Sequence, residues 1–334
     1  MKTLILKNTK ENIEKSAEII RTGGLVAFPT ETVYGLGANG LNGEAVKKVF
    51  AAKNRPADNP MILHIADIED IYEIAAEVGE DAKILMESFW PGPLTVVVKR
   101  KEHIPDETTG GLETVGVRMP SDETARSLIR EAGVPIAAPS ANLSGKPSPT
   151  MYKHVVKDMD GRIDAILCGS DCQVGIESTV VLVTGENPVI LRPGKITAED
   201  MERVLGKKVS LDPALEMDLK KDDDKAFQPM SPGMKYKHYA PDAEMIIYEG
   251  PEDRVLKEIE KRKNELVLEG KKVGTIVFGS HDFEKAAHDL FADLRQMDED
   301  GVDVILAGAV AKEGLGLAVM NRMLKSAGYN TIKL

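Results

Sequence analysis

Short apolar runs alternate with amphipathic segments along the first part of the chain. Between the runs, apolar residues recur at helical spacing, as at Ile13, Ala17 and Ile20. The runs have the length of buried strands, and we predict strands at 25–28, 61–65, 94–98, 115–119, 134–138, 165–168, 179–183 and 189–191. This pattern predicts a mixed sheet flanked by helices over roughly the first two hundred residues.

Helix ends are marked by capping residues and prolines. Asn42 is predicted to cap a helix that Pro56 must end, which places Lys53 and Arg55 at a loop edge. We predict a helix over 122–131 that is capped by Ser121 and closed by Gly133. A further helix begins at Thr197-x-x-Asp200, which has the form of a capping box.

The pattern changes after residue 206. An irregular stretch with the acidic run Asp222-Asp223-Asp224 is typical of a linker. Beyond it, predicted strands at 245–248, 273–278 and 302–306 alternate with predicted helices at 254–266, 283–297 and 317–327, as in a small parallel βαβ domain. The predicted organisation is a first domain over 1–206, a linker over 207–241 and a second domain over 242–334.

Length and composition support this division. A chain of 334 residues exceeds what one core usually supports, and 42% hydrophobic with 29% charged residues is ordinary for a globular enzyme. The start turns polar too soon for a secretion signal and no apolar run approaches the length of a membrane span, so we expect a cytoplasmic protein without a membrane partner. A net charge of -11 argues against broad affinity for nucleic acid. Cys168 and Cys172 lack the second ligand pair of a zinc site.

Polar and cationic residues follow several predicted strands. The turn Pro29–Gly37 (PTETVYGLG) is rich in hydroxyls, and its glycines let the backbone approach a ligand. Arg118 lies within a strand, where an arginine normally has an anionic partner. Together with Lys53, Arg55 and Arg192, it suits a polyanionic ligand such as a nucleoside triphosphate. The alternatives are unrelated salt bridges and surface cations that complement a helix dipole.

The common nucleotide and catalytic motifs are absent from the sequence. There is no GxGxxG, no HExxH, no G-x-S-x-G and no evident carboxylate pair for two metals. A triphosphate would therefore be held by side chains and turn amides. A lone strand histidine such as His64 is more often a satisfied polar residue than a catalyst, and serines such as Ser140 and Ser148 are compatible with simple turns.

Eight segments, in order along the chain, resemble one family. They are PTETVYGLG, AKNRPADNPMILHI, WPGPLTVVV, VGVRMP, PIAAPSAN, ESTVV, LRPGKI and SPGMKYKHYAP. Together they resemble the long form of the threonylcarbamoyl-adenylate synthases. The resemblance implies an α/β fold with an N-terminal YrdC-like twisted mixed sheet and a small C-terminal Rossmann-like parallel domain. It also implies a reaction of L-threonine, bicarbonate and ATP, with Mg²⁺ accompanying ATP, that yields threonylcarbamoyl-AMP and pyrophosphate. Downstream transfer proteins would use this product to modify an adenosine beside the tRNA anticodon.

The resemblance also implies site residues, with no protein metal ligand among them. The implied catalytic signature is Lys53, Arg55, Ser140 and Asn142. Implied threonine contacts are Thr32, His64, Arg118, Ala138 and Ser178. Implied ATP contacts are Arg55, Asn59, Thr114, Ser140, Ser148, Arg192 and Tyr236, with Tyr239 as the alternative linker tyrosine. We assign Arg118 to the threonine carboxylate and Lys53 with Arg55 to the phosphates. We predict that 231–241 covers the pocket as a lid.

Two other functions remain open at this stage. One is a noncatalytic RNA-binding or ribosome-maturation module with a weak RNA contact, against which stand the acidic charge and an aromatic content of only 4%. The other is a carbamoyl-transfer domain for metallocentre assembly, which would need cysteines beyond Cys168 and Cys172.

Overall fold

The structure of the chain is a computed structural model in which residues 2–57, 59–215, 238–279 and 281–334 are described. Its strands are β1 (Leu4–Lys7), β2 (Val26–Phe28), β3 (Gly35–Asn39), β4 (Ile62–His64), β5 (Leu94–Lys99), β6 (Thr114–Arg118), β7 (Ile136–Ala137), β8 (Ala165–Cys168), β9 (Thr179–Leu182), β10 (Val189–Arg192), β11 (Ser210–Leu211), β12 (Glu244–Glu249), β13 (Val273–Ile276), β14 (Val304–Gly308) and β15 (Thr331–Lys333). Its helices are α1 (Lys10–Arg21), α2 (Gly43–Lys53), α3 (Ile71–Ile74), α4 (Glu80–Phe89), α5 (Asp106–Thr109), α6 (Glu123–Ala132), α7 (Tyr152–Met159), α8 (Ala198–Leu205), α9 (Glu252–Leu268), α10 (Phe283–Asp300) and α11 (Gly314–Ser326).

The first eleven strands form one mixed sheet, as predicted. Its order is β1-β8-β2-β3-β7-β4-β6-β5-β9-β10-β11, with both parallel and antiparallel neighbours. The hydropathy pattern missed β3, because two of its five residues are glycines with low strand propensity. It also missed β1 and β11, which lie at the two edges of the sheet.

Helices cover both faces of this sheet. On one face, α1 packs against α6, and Ile20 and Leu128 bury their side chains beside Phe28 of β2. The larger core on the other face receives apolar side chains from α2, α4, α7 and α8. With both faces covered, most strand side chains are buried, which accounts for the continuous apolar runs in the sequence.

The remaining four strands form a separate parallel sheet, as predicted. Its order is β13-β14-β12-β15. Helix α9 packs on one face, where Val255 and Ile259 lie beside Leu306. Helices α10 and α11 pack together on the other face. The edge strand β15 was not predicted; it is short and half exposed, so its pattern carries little signal.

Most predicted helix caps are confirmed, and one is corrected. Asn42 caps α2, and Thr197 with Asp200 forms a capping box at α8. Helix α6 is capped by Asp122, not by Ser121, because the Asp122 carboxylate accepts the amide hydrogen of Ala125 at 3.0 Å. Lys53 ends α2, as predicted, and its side chain is buried.

The two sheets share an apolar core. Val33, Val174 and Ile176 from the first part of the chain belong to the same cluster as Leu290 of α10 and Val319 of α11. Two buried arginines also cross the junction and are described below. The domain limits 1–206, 207–241 and 242–334 remain a prediction; β11 follows the first of these limits. Within the described ranges, no helix combines the length and apolarity needed to cross a membrane.

Candidate active site

A pocket opens where parallel strands β4 and β6 end. Their last residues, His64 and Arg118, are paired in register and therefore lie side by side. The rest of the wall comes from the turn after β2, the segment after α2, the loop after β7, the entry to β9, the end of β10 and residues 238–239. The lining residues are Thr30, Thr32, Val33, Gly35, Arg55, Ile62, His64, Arg118, Ala138, Pro139, Ser140, Asn142, Glu177, Ser178, Arg192, His238 and Tyr239. The pocket thus combines hydroxyls with three arginines.

The hydroxyl-rich turn is held by Thr30. Its hydroxyl donates to the carbonyl of Val33 at 2.7 Å, accepts from the amide of Val33 at 3.3 Å, and lies 2.9 Å from the hydroxyl of Thr32. The turn is tied to the Ser140 loop by the amide of Ala141, which donates to the carbonyl of Tyr34 at 2.8 Å. Short polar side chains that bond their own backbone favour such turns. Thr32 and Ser140 are thereby fixed on neighbouring walls.

The two glycines of this turn have different roles. Gly35 lines the pocket, in agreement with a close approach to a ligand. A Cβ on Gly37 would lie 2.7 Å from Cγ2 of Ile136 and 2.8 Å from the ring of Phe28. Gly37 is therefore required by core packing, which is a structural role.

Arg118 has a carboxylate partner that the sequence reading did not assign. Its Nη2 atom lies 2.7 Å from Oε1 of Glu31, and both side chains are buried. Its Nε donates to the carbonyl of Gly92 at 3.3 Å. These contacts hold the guanidinium at the pocket wall. A ligand carboxylate at Arg118 would share the guanidinium with Glu31.

His64 is neutral at physiological pH. Burial, followed by the positive charge of Arg118, lowers its pKa to about 3. Its Nδ1 is buried and has no hydrogen-bond partner in the described part of the chain. His64 lines the pocket, and with Nδ1 unpartnered it is not the fully satisfied strand histidine of the alternative interpretation.

Lys53 has a different environment from that predicted. Its Nζ donates to the carbonyls of Ser140 and Asn142, the latter at 2.5 Å. Burial, with a smaller effect of Arg55, lowers its pKa well below the usual range. Lys53 does not line the pocket. Its contacts fix the backbone that presents Ser140 and Asn142, so its direct assignment to phosphates does not fit this geometry.

Arg192 and Ser178 form a second polar unit at the ends of β9 and β10. Arg192 donates to the carbonyl of Ser178 through Nε at 3.0 Å and to its hydroxyl through Nη2 at 3.1 Å. The Ser178 hydroxyl also lies 2.8 Å from that of Thr95. Burial lowers the pKa of Arg192 to about 10, so the guanidinium stays charged at neutral pH. Both residues line the pocket, as the predicted list requires.

Four predicted residues are not brought to the pocket wall. They are Lys53, Asn59, Thr114 and Ser148. Thr114 begins β6 and Arg118 ends it, so Thr114 lies about 13 Å away along the strand. Ser148 is buried behind the wall, with its hydroxyl 2.5 Å from Oε1 of Glu177. Tyr236 and residues 231–237 of the predicted lid fall outside the described residues.

Three further polar lining residues were not predicted, and one was predicted only as an alternative. Thr30, Glu177 and His238 were missed, although each lies inside a quoted segment. Tyr239, the alternative to Tyr236, lines the pocket and hydrogen-bonds Glu177. Burial lowers the pKa of His238 to about 3 and raises that of Tyr239 to about 12. The spacing of Tyr236 and Tyr239 within the linker did not distinguish them.

Two family matches together cover most of the chain. Residues 18–194 match the family described as "Telomere recombination", which groups the Sua5, YciO and YrdC proteins. Residues 196–328 match the C-terminal domain of threonylcarbamoyl-AMP synthase. The chain is 50% identical to the threonylcarbamoyl-AMP synthase of Pyrococcus abyssi over 99% of both chains. It belongs to the threonylcarbamoyl-AMP synthase family.

Two other comparisons agree with this membership. The Bacillus subtilis threonylcarbamoyl-AMP synthase is 44% identical, covering 98% of this chain and 96% of the relative. A crystal structure of the P. abyssi Sua5 protein complexed with L-threonine is 49% identical, covers 100% of both chains and superposes with a TM-score of 0.92. The two-sheet architecture predicted from the resemblance is thereby confirmed.

Proposed function

We propose that this member of the family joins L-threonine, bicarbonate and ATP into threonylcarbamoyl-AMP, with release of pyrophosphate. The observation that carries the proposal is one pocket in which Arg118, His64, Thr32 and Ser178 adjoin Arg55, Ser140 and Arg192. The first set suits an amino acid with a hydroxyl, and the second suits an anionic nucleotide. The crystal structure of the P. abyssi relative with L-threonine supports the amino acid half of this proposal.

In the proposed threonine subsite, Arg118 binds the substrate carboxylate. A planar guanidinium suits a carboxylate, and Glu31 keeps it oriented before the substrate arrives. Neutral His64 lines this subsite and is assigned to a polar group of threonine. Thr32 and Ser178 supply hydroxyls, and backbone at Ala138 completes the wall. Because a buried partner left unpaired costs binding energy, this subsite disfavours valine.

In the proposed ATP subsite, Arg55 and Arg192 face the phosphates. Ser140 and Asn142 lie on the loop that Lys53 holds by its carbonyls. Mg²⁺ enters with ATP as part of the substrate. The lining carboxylate Glu177 is already bonded to other side chains, and the described residues contain no group of three His, Cys, Asp or Glu side chains suited to a metal. Asn59, Thr114 and Ser148 remain predicted nucleotide contacts without a place at the wall.

The proposed reaction needs no covalent enzyme intermediate. The threonine nitrogen attacks the carbon of bicarbonate, forming the carbamate with loss of water. A carbamate oxygen then attacks the α-phosphorus of ATP, and the bond to the β-phosphate oxygen breaks as pyrophosphate leaves. Positioning by Arg118 and charge neutralisation by Arg55 and Arg192 supply the protein's part of the rate. Arg192 remains charged through this step because its pKa stays well above neutrality.

The linker forms one wall of this pocket through its last described residues. His238 and Tyr239 line it, and the amide of Ala240 donates to the carbonyl of Gly145 at 2.7 Å. This placement supports the proposal that the linker covers the pocket. We further propose that the product passes to tRNA threonylcarbamoyl-transfer proteins in the cytoplasm.

Product analysis tests the proposed reaction. The full chain is incubated with ATP, Mg²⁺, threonine and bicarbonate, and pyrophosphate and the adenylate are measured by mass. We expect both products in equal amounts, and loss of both when threonine or bicarbonate is omitted. Replacing threonine with valine should remove most of the product. Pyrophosphate release that persists without threonine would refute the synthase proposal.

A further inference from the structure

An arginine from the second sheet reaches the pocket wall of the first. Arg322 lies in α11 and has 0% of its surface exposed. Its Nε donates to Oε2 of Glu177 at 3.1 Å, and its Nη1 donates to the carbonyl of Pro193 at 2.5 Å. Glu177 lines the pocket, whereas Arg322 lies behind it. The C-terminal domain therefore contacts the pocket through this side chain.

Glu177 joins three parts of the chain. Its Oε1 accepts from the hydroxyl of Ser148 at 2.5 Å, its Oε2 accepts from Arg322, and Tyr239 of the linker hydrogen-bonds it as well. Burial alone would raise the pKa of this carboxyl, but Arg322 and Arg192 together hold it below the usual value. Glu177 is therefore a carboxylate at neutral pH.

A buried carboxylate in this position opposes the binding of a triphosphate. Its charge acts through a medium of low dielectric constant, where repulsion between anions is much stronger than in water. An ion pair with a buried arginine offsets that charge, and loss of one partner leaves the other uncompensated. Arg192 also faces the pocket but is bonded to Ser178. Arg322 is directed at Glu177 from outside the pocket.

We propose that Arg322 is a positioning residue of the active site. It neutralises Glu177 and holds it against Ser148, so that ATP meets a wall of net positive charge. This inference rests on the proposed function, because it assumes ATP as the ligand. It gives the C-terminal domain a part in nucleotide binding even though none of that domain's described residues lines the wall.

Arg295 provides a matched control for simple domain docking. It lies in α10, is also buried, and pairs with Asp158 at 2.7 Å while donating to the carbonyl of Pro147 at 2.6 Å. Neither Asp158 nor Pro147 lines the pocket. The two arginines thus join the same two domains, and only one of them compensates a charge at the pocket.

The test measures ATP binding by titration calorimetry and half-saturation for ATP and threonine in full-length variants. Arg322→Gln should weaken ATP binding about tenfold or more, with a smaller change for threonine. Arg322→Lys, which keeps the charge, should remain within about threefold of the wild type. Glu177→Gln, which removes the anion from the wall, should bind ATP no more weakly than the wild type. Arg322→Gln combined with Glu177→Gln should restore ATP binding. Thermal unfolding of each variant reports the fold separately.

We expect the loss of Arg322 to weaken ATP binding and the loss of Glu177 not to weaken it. If the double variant binds ATP no better than Arg322→Gln, or if Arg295→Gln weakens ATP binding as much, Arg322 acts only in docking and the proposal is overturned. Where Arg322→Gln alone does not fold, the double variant is compared with Glu177→Gln, and a loss above about threefold overturns it. Wild-type product analysis distinguishes these outcomes from failure of the synthase proposal.

Discussion

The carboxyl ends of the strands differ between the two sheets. In the first sheet, β4 and β6 end in His64 and Arg118, which are buried and line the pocket. At the corresponding ends of the second sheet, Lys312 pairs with Glu249 at 3.3 Å and His281 lies 3.2 Å from Glu313, and three of these four side chains are more than half exposed. Exposed pairs contribute little and leave no unsatisfied buried group for a ligand.

The buried arginines on the helices of the second sheet are not directed at the strand ends of that sheet. Arg295 and Arg322 both reach partners in the first part of the chain. Parallel α/β sheets often bind ligands at their carboxyl edge, but here the described contacts favour support of the neighbouring site. The comparison teaches that a Rossmann-like arrangement does not by itself make a second binding site.

The largest expected effect is a loss of threonine binding when a residue at the strand ends of the first sheet is replaced. We expect Arg118→Ala to raise half-saturation for threonine about a hundredfold, because a charge-assisted pair is lost and Glu31 is left buried without a partner. Half-saturation for ATP should change only a few-fold. Arg100→Ala, at an arginine outside the pocket that pairs with Asp106, is the control. If half-saturation for threonine and half-saturation for ATP rose equally, Arg118 would not be the residue that binds the threonine carboxylate.

The next largest expected effect is a loss of stability. It should follow when the packing contact between the two domains is disturbed without a change of charge. Gly175 has φ +84°, and a Cβ there would lie 2.4 Å from the carbonyl oxygen of Ala287 in α10. Gly206 has φ +67° with open space around it, so Gly206→Ala should cost only the strain of about 1–2 kcal/mol. Gly175→Ala should lower the free energy of unfolding by a further 1–3 kcal/mol or so in urea titrations. Equal losses of unfolding free energy in the two variants would show that α10 moves aside to accommodate the added methyl group.

The smallest expected effect is on the way the free energy of unfolding depends on pH. His64 has a pKa of about 3 in the fold against 6.5 when unfolded, so acidification protonates the unfolded state first and stability is lost as pH falls below 6.5. At pH 5.5 this amounts to about 1.4 kcal/mol. In unfolding titrations, His64→Gln should reduce this loss of unfolding free energy by about the same amount. An unaltered slope in the His64 variant would contradict a neutral buried His64.

Individual residues show which features the sequence predicts. The apolar runs and caps identified most strands and the starts of α2 and α8, because strand burial and capping depend on neighbouring residues. The quoted motifs also indicated the family and most of the pocket, including Thr32, Arg118, Ser140 and Ser178. Glu31 and Glu177 stood inside those motifs, but nothing in their spacing identified their partners.

The sequence by itself determined the two α/β halves, the family and the residue types that a threonine and nucleotide site requires. Only the tertiary structure decided which polar side chain faces the pocket and which supports it from behind. Lys53 and Ser148 belong to the support, and Arg322 reaches it from α11, 145 residues after Glu177 along the chain. The reason is physical: a buried charge takes its partner from whatever lies close in space, and strand order and domain docking set that proximity.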